Sequence, residues 1–165
     1  MMPLKIDLHS HSTISDGSYT PAELVNYAAA QGVDIMALTD HDDVAGLEQA
    51  RIAAESLGVS LINGVEISVT WNKRTIHIVG LRVDPNHPEL LAGLAHIRAG
   101  RLTRAEAIAS ELDKVGIAGS LEGALAYAKE RIISRTHFAR FLVAQGHAKD
   151  VKAVFKKFLV KGKPG

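Results

Sequence analysis

The 165-residue chain contains no cysteine. That single absence excludes a disulfide framework, a thiolate zinc site, an iron–sulfur cluster and a cysteine nucleophile, so any metal must sit on nitrogen and oxygen donors. Long apolar runs are also missing. No stretch approaches the roughly 20 apolar residues of a membrane span, and the polar run His9-Ser10-His11 follows the start too closely for an apolar signal region. The expected location is the cytoplasm, with no membrane partner.

What remains is an ordinary globular composition, 47% hydrophobic and 22% charged, on a chain long enough to bury a core. Net charge is +1, but it divides unevenly. Residues 1–82 carry 5 Lys/Arg against 10 Asp/Glu, and residues 83–165 carry 14 against 8. An acidic half precedes a basic one.

The first half alternates strand and helix signals. Lys5 to His9, Asp34 to Thr39 and Val59 to Asn63 read as strands. Between them, Thr20-Pro21-Ala22-Glu23 opens a helix with Thr20 as N-cap, Pro21 at the first position and Glu23 completing a capping box, and Gly32 ends it. Val44 to Leu57 reads as the second helix, closed by Gly58. This order predicts a parallel sheet. Val65 to Trp71 and Thr75 to Val83 flank Asn72-Lys73-Arg74 and predict an antiparallel hairpin that pairs 71 with 74, 70 with 75 and 68 with 77. From Pro88 onward the spacing turns helical, over Glu89–Val115, Leu121–Ile132, Thr136–Gln145 and Asp150–Val160. The expected division is 1–87, bearing the chemistry, and 88–165, a helical part.

Five chemistry-bearing residues leave two strand ends. A period of two puts His9 and His11 on one side of the first strand, with Ile6 and Leu8 opposite. Asp7 falls on the side of His9 and reads as a supporting or solvent-facing residue. Asp16 follows in the turn Ser15-Asp16-Gly17. Asp40 and His41 leave the second strand in Thr39-Asp40-His41-Asp42, whereas Asp42 and Asp43 read as caps of the following helix. Ligands of parallel α/β sheets bind beyond the carboxyl ends of strands, so these segments share a rim. The hairpin register adds Glu66 and His77 as diagonal neighbours on one face. Glu66 within an apolar strand needs a partner, because an unpaired buried carboxylate is costly. Imidazoles with carboxylates from separate segments suit a polynuclear N/O metal site. Trp71 reads as packing, and a basic tail including Lys161 and Lys163 as solvated.

Asp7-Leu8-His9-Ser10-His11-Ser12, Ser15-Asp16-Gly17, Thr39-Asp40-His41-Asp42, Gly64-Val65-Glu66 and His77 together resemble the PHP domain, the polymerase and histidinol phosphatase superfamily. Ile133 to Arg140 and the closing Lys161-Gly162-Lys163-Pro164-Gly165 are similar to its small bacterial phosphoesterases acting on nucleoside 3′,5′-bisphosphates and RNA 5′ ends. The resemblance implies a distorted (β/α)7, TIM-like barrel with an α-helical insertion covering the site. It implies two or three divalent ions, manganese first, then iron, zinc or magnesium. His9, His11, Asp16, His41, Glu66 and His77 would be the catalytic metal ligands, Glu66 bridging, and Asp40 would stand behind them. Ser134, Arg135 and His137 would contact substrate phosphate, and a metal-activated water would hydrolyse the ester. Family members continue with further βα units carrying another histidine and a late Asp-x-His, so an incomplete barrel is expected here. Other phosphate esters are alternatives, as in histidinol phosphatases or polymerase-associated exonucleases. From another class, a non-catalytic metal-binding or RNA-interaction module is the rival reading.

Overall fold

The computed structural model describes residues 3–72, 74–128, 132–160 and 162–164. Lys73 of the expected turn, residues 129–131 of the expected helix and Lys161 of the tail lie outside the described residues. The fold is mixed α/β and divides into residues 1–97 and 98–165.

The first unit is built on one four-stranded sheet in the order β1-β2-β3-β4. Its strands are β1 (Ile6–Ser10), β2 (Ile35–Leu38), β3 (Ser60–Trp71) and β4 (Arg74–Leu81). β1–β2 and β2–β3 pair in parallel, β3–β4 antiparallel. Helices α1 (Pro21–Ala30) and α2 (Leu47–Leu57) make the crossovers. The predicted capping box forms at α1: Thr20 Oγ1 accepts from the Glu23 N–H, while Glu23 Oε2 accepts from the Thr20 N–H at 2.8 Å. Gly58 ends α2 in the left-handed conformation, φ 70°, which glycine adopts without strain. Val25, Met36, Leu38, Ala50 and Val65 are at most 1% exposed and form the core between helices and sheet. Each large side chain there contributes about 1.5–3 kcal/mol of burial.

Two expectations change. The third strand and the first hairpin strand are one twelve-residue element, β3. Its first part pairs with β2 through Asn63, and its second part pairs with β4 from Gly64. Gly64 permits this change of partner because a Cβ there would lie 2.6 Å from Thr39 Cγ2. Helix α2 also starts later than predicted, at Leu47, with Gly46 as its N-cap and no side-chain cap. Asp42 and Asp43 therefore do not cap it. Asp43 instead accepts from the Ala45 N–H at 2.9 Å in the approach to the helix. Trp71 is not packing: at the hairpin tip it is 68% exposed. β1 forms a sheet edge, and its Ile6 and Leu8 are exposed.

The long helix α3 (Pro88–Asp113) begins in the first unit, where Leu94 joins the core. In the second unit its later turns present Ala105, Ile108 and Leu112 on one stripe, the spacing of a helix buried on one face. There α4 (Ser120–Ala128), α5 (Arg135–Ala144), α6 (Val151–Val154) and a π-helical turn, Phe155–Leu159, complete a helical cluster. Phe138, Leu142 and Val154 are its fully enclosed centre. Gly123 marks where α4 meets α5, since a Cβ there would fall 2.1 Å from the Phe141 ring.

Candidate functional site

The ends of β1 and β2 are stitched before any functional side chain is placed. The Ser10 N–H donates to Thr39 Oγ1 at 3.1 Å, the Thr39 N–H to the Ser10 carbonyl at 2.9 Å, and Ser10 Oγ to the Ala37 carbonyl at 2.7 Å. The β1–β2 register slips between Asp7 and Ser10: Asp7 pairs with Met36 but Ser10 with Leu38, one extra residue on β1. Such a bulge re-aims a strand's side chains. Asp7 is exposed and accepts the His9 N–H at 3.2 Å.

Beyond β1 the chain folds back tightly. The Ser15 and Gly17 N–H groups both donate to the Ser12 carbonyl, at 3.1 and 2.8 Å. A Cβ on Gly17 would stand 2.1 Å from the His11 carbonyl oxygen, so only glycine allows the turn that carries Asp16. Asp40 anchors the loop from below. Its carboxylate accepts the Ser12 N–H at 2.8 Å, Ser12 Oγ at 2.6 Å and Ser15 Oγ at 2.6 Å. Burial raises its pKa above the ordinary value, and these hydrogen bonds with the His11 charge only partly offset that.

The predicted hairpin register is the one observed: Trp71 opposite Arg74, Thr70 opposite Thr75 and Ser68 opposite His77. Glu66 thereby faces the rim, and its carboxylate is the point on which the imidazoles converge. Oε2 lies 2.9 Å from His9 Nε2, 3.0 Å from His11 Nε2 and 3.6 Å from His41 Nδ1, and Oε1 lies 3.3 Å from His77 Nδ1. Asp16 adds a second carboxylate, with its two oxygens 3.7 Å from His11 Nδ1 and 4.0 Å from His41 Nε2. Burial pushes the Glu66 carboxyl up. The His9 hydrogen bond and the charges of His41, His11 and His9 outweigh it and hold the group below the ordinary carboxylate value.

Three overlapping donor triads result: His9–His11–Glu66, His11–Asp16–His41 and His41–Glu66–His77, each with donor atoms within 4.8 Å of one another. His11, His41 and Glu66 each belong to two triads. Borderline divalent ions take this imidazole and carboxylate donor set, and shared ligands let neighbouring ions sit side by side. All six predicted site residues of the first unit meet in this one cluster.

In the second unit, Ser134 is the N-cap of α5 and Arg135 its first residue. His137 is 1% exposed, and its Nδ1 accepts the Ser134 N–H at 3.1 Å. Burial lowers the pKa of the Arg135 guanidinium, and the charges of Arg104 and Arg101 lower it further. Arg101 is itself only 9% exposed. Two arginines of α3 thus share the electrostatic surroundings of Arg135. Sequence reading had passed over both; their signal is the helical stripe Arg101, Ala105, Ile108, Leu112, whose first member is basic where the others are apolar.

A mixed α/β fold with a histidine-rich N/O centre at the strand ends defines a metal-binding class of protein. The PHP domain family matches residues 7–159, and the chain belongs to that family. It is 51% identical to a 3′,5′-nucleoside bisphosphate phosphatase of Chromobacterium violaceum, across 97% of this chain and 56% of that relative. It is 47% identical to the 5′-3′ exoribonuclease Rnm of Escherichia coli, across 96% of this chain and 55% of the relative. Among solved structures, an amidohydrolase of Chromobacterium violaceum with bound sulfate superposes with a TM-score of 0.94 at 50% identity, over 97% of this chain and 57% of the other. The chain spans a little over half the length of these relatives.

Among the described residues, no helix is long and apolar enough to cross a membrane.

Proposed function

We propose that this chain forms the metal-holding part of a phosphoesterase that hydrolyses nucleotide phosphate esters, nucleoside 3′,5′-bisphosphates or RNA 5′ ends. The fold reading that accompanies it is the (β/α)7 barrel of PHP type, to which the four strands contribute. One observation carries the proposal: four imidazoles, His9, His11, His41 and His77, lie within 3.6 Å of the single Glu66 carboxylate. Carboxylates ringed by histidines at strand ends suit cations.

The residues fit divalent ions, and the family resemblance puts manganese first. His9, His11, Asp16, His41, Glu66 and His77 would hold them, with Glu66 shared between ions. When bound, such ions supply Lewis acidity, which brings the pKa of water toward neutrality and neutralises phosphoryl oxygens. The chain's own contribution is placement. Asp40 locks the loop bearing Asp16, and the hairpin register presents Glu66 and His77.

Arg135 would take a substrate phosphate, since its planar fork meets phosphate oxygens bidentately. Arg101 and Arg104 reinforce the positive field around it, and a bound phosphate would relieve their mutual repulsion. Ser134 and His137 would contact the phosphate beside it. The names of the relatives, a bisphosphate phosphatase and an exoribonuclease, accord with such a substrate.

The test pairs two measurements on the manganese-loaded chain: metal content by elemental analysis, and phosphate release from adenosine 3′,5′-bisphosphate. Bound metal with turnover supports the full reading. Bound metal without turnover reduces it to a metal-binding module, and failure to bind any divalent ion sinks it.

A further inference from the structure

We propose that Asp42 is a positioning residue of the metal centre, clamping the strand that presents Glu66; the proposal rests on the metal-centre reading above. Asp42 is fully buried and has φ 51°, a left-handed backbone. Few residues other than glycine accept that conformation, and aspartate and asparagine are the commonest of them. Helix α2 makes no use of its carboxylate, because the helix begins five residues later.

The carboxylate turns instead to β3. Asp42 Oδ1 accepts the Ser68 N–H at 2.6 Å. The Asp42 N–H donates to the Glu66 carbonyl at 3.0 Å, and the Glu66 N–H donates to the Asp40 carbonyl at 3.1 Å. Main-chain groups of Glu66 are therefore held on both sides by residues 40–42, with His41 bridged directly opposite Glu66.

The need for this clamp follows from strand lengths. β2 ends at Leu38, while β3 runs on to Trp71. Past Asn63, β3 loses its parallel neighbour on that edge. Buried backbone donors must find partners. Residues 40–42 serve as a short surrogate strand for Glu66, and the Asp42 side chain extends the pairing to Ser68, where that backbone turns away. The same contacts place His41 and Glu66 side by side as donors. Removing such an outer support of a ligand typically costs about 10–100-fold in metal affinity.

The experiment titrates the metal-free full chain with Mn²⁺ by calorimetry and records the metal-free thermal midpoint beside it. Asp42→Gly keeps the positive φ without strain and deletes the carboxylate, whereas Asp42→Asn keeps an acceptor oxygen and tolerates the same backbone. The expected result is cooperative unfolding in both variants, Mn²⁺ binding about 10–100-fold weaker in Asp42→Gly, and recovery to within about threefold of wild type in Asp42→Asn. Binding by Asp42→Gly within about twofold of wild type overturns the proposal, as does weakened binding that accompanies loss of cooperative unfolding or that Asp42→Asn does not rescue. Glu66→Ala, measured in parallel, keeps two failures apart. If it too binds Mn²⁺ like wild type, the metal-centre reading is wrong; if it alone loses the ion, only the role of Asp42 falls.

Discussion

Histidine does different work in the two units. In the first, His9, His11, His41 and His77 cluster around carboxylates, in a segment with twice as many acids as bases over residues 1–82. In the second, His137 is enclosed beside the helix cap Ser134, and the charged side chains acting on Arg135 are two more arginines. On the reading proposed above, the carboxylate framework would make its imidazoles cation ligands, whereas the enclosed His137 accepts a backbone hydrogen bond among arginines. The difference teaches that the surroundings of a histidine are set by the charges its neighbours bring, and that the +1 total conceals an acidic and a basic half.

The sharpest way to break this contrast is Glu66→Ala. Removing the carboxylate shared by two donor triads should weaken divalent-ion binding at least about 100-fold, the upper end for losing a ligand's own support, and leave metal-free phosphate binding unchanged. Calorimetric titrations with Mn²⁺ and with inorganic phosphate read both halves of that statement. Equal loss of both would merge the two surfaces into one.

The reciprocal change is Arg135→Ala. It should weaken binding of adenosine 3′,5′-bisphosphate by about 10-fold or more, as expected for a charge-assisted hydrogen bond of about 1.5–3 kcal/mol. Mn²⁺ affinity should stay within error. A drop in Mn²⁺ affinity instead would assign Arg135 to the metal centre.

Gly17→Ala tests the loop geometry. The added Cβ would collide with the His11 carbonyl, so the loop bearing Asp16 must move, at about 1–3 kcal/mol for overpacking. Chemical denaturation should show that loss, together with weaker metal binding. An unchanged denaturation midpoint would mean that the loop is looser than its hydrogen bonds imply.

The smallest expected effect concerns pH. The folded pKa of Glu66 lies below its ordinary value of 4.5. An acid shifted downward contributes stability that is complete above its unfolded pKa and lost as pH falls through the folded one. Metal-free wild type should therefore lose stability on acidification below about 4.5 more steeply than Glu66→Gln. Parallel pH–stability curves would remove Glu66 as a source of that dependence.

Much of this centre was legible in the sequence. Local rules sufficed where the determinants were local: the Thr20–Glu23 capping box, the left-handed Gly58, and a hairpin whose short turn fixed the pairing of Ser68 with His77. Period-two reasoning correctly grouped His9 with His11 but missed the bulge, because a register slip depends on the neighbouring strand and leaves no mark of its own in β1. The merging of two strands into β3 escaped for the same reason. Gly64 lies between the two expected strands, and only the approach of Thr39 shows it to be a packing requirement. Asp42 and Asp43 were assigned to the helix that follows them. Their partners lie elsewhere, one of them 26 residues ahead at Ser68. Arg101 and Arg104 stayed silent because basic residues on a helix are ordinarily solvated, and only the burial of Arg101 distinguishes them.

The central claim is that Glu66 organises a polynuclear cation site. A crystal structure of the manganese-loaded chain, with anomalous scattering used to locate the ions, tests it most directly. The account predicts at least two manganese peaks among the His9, His11, Asp16, His41 and His77 side chains, with Glu66 oxygens within bonding distance of more than one of them. Manganese bound only at sites that do not include Glu66, or a single ion with Glu66 left to its histidines, would contradict it.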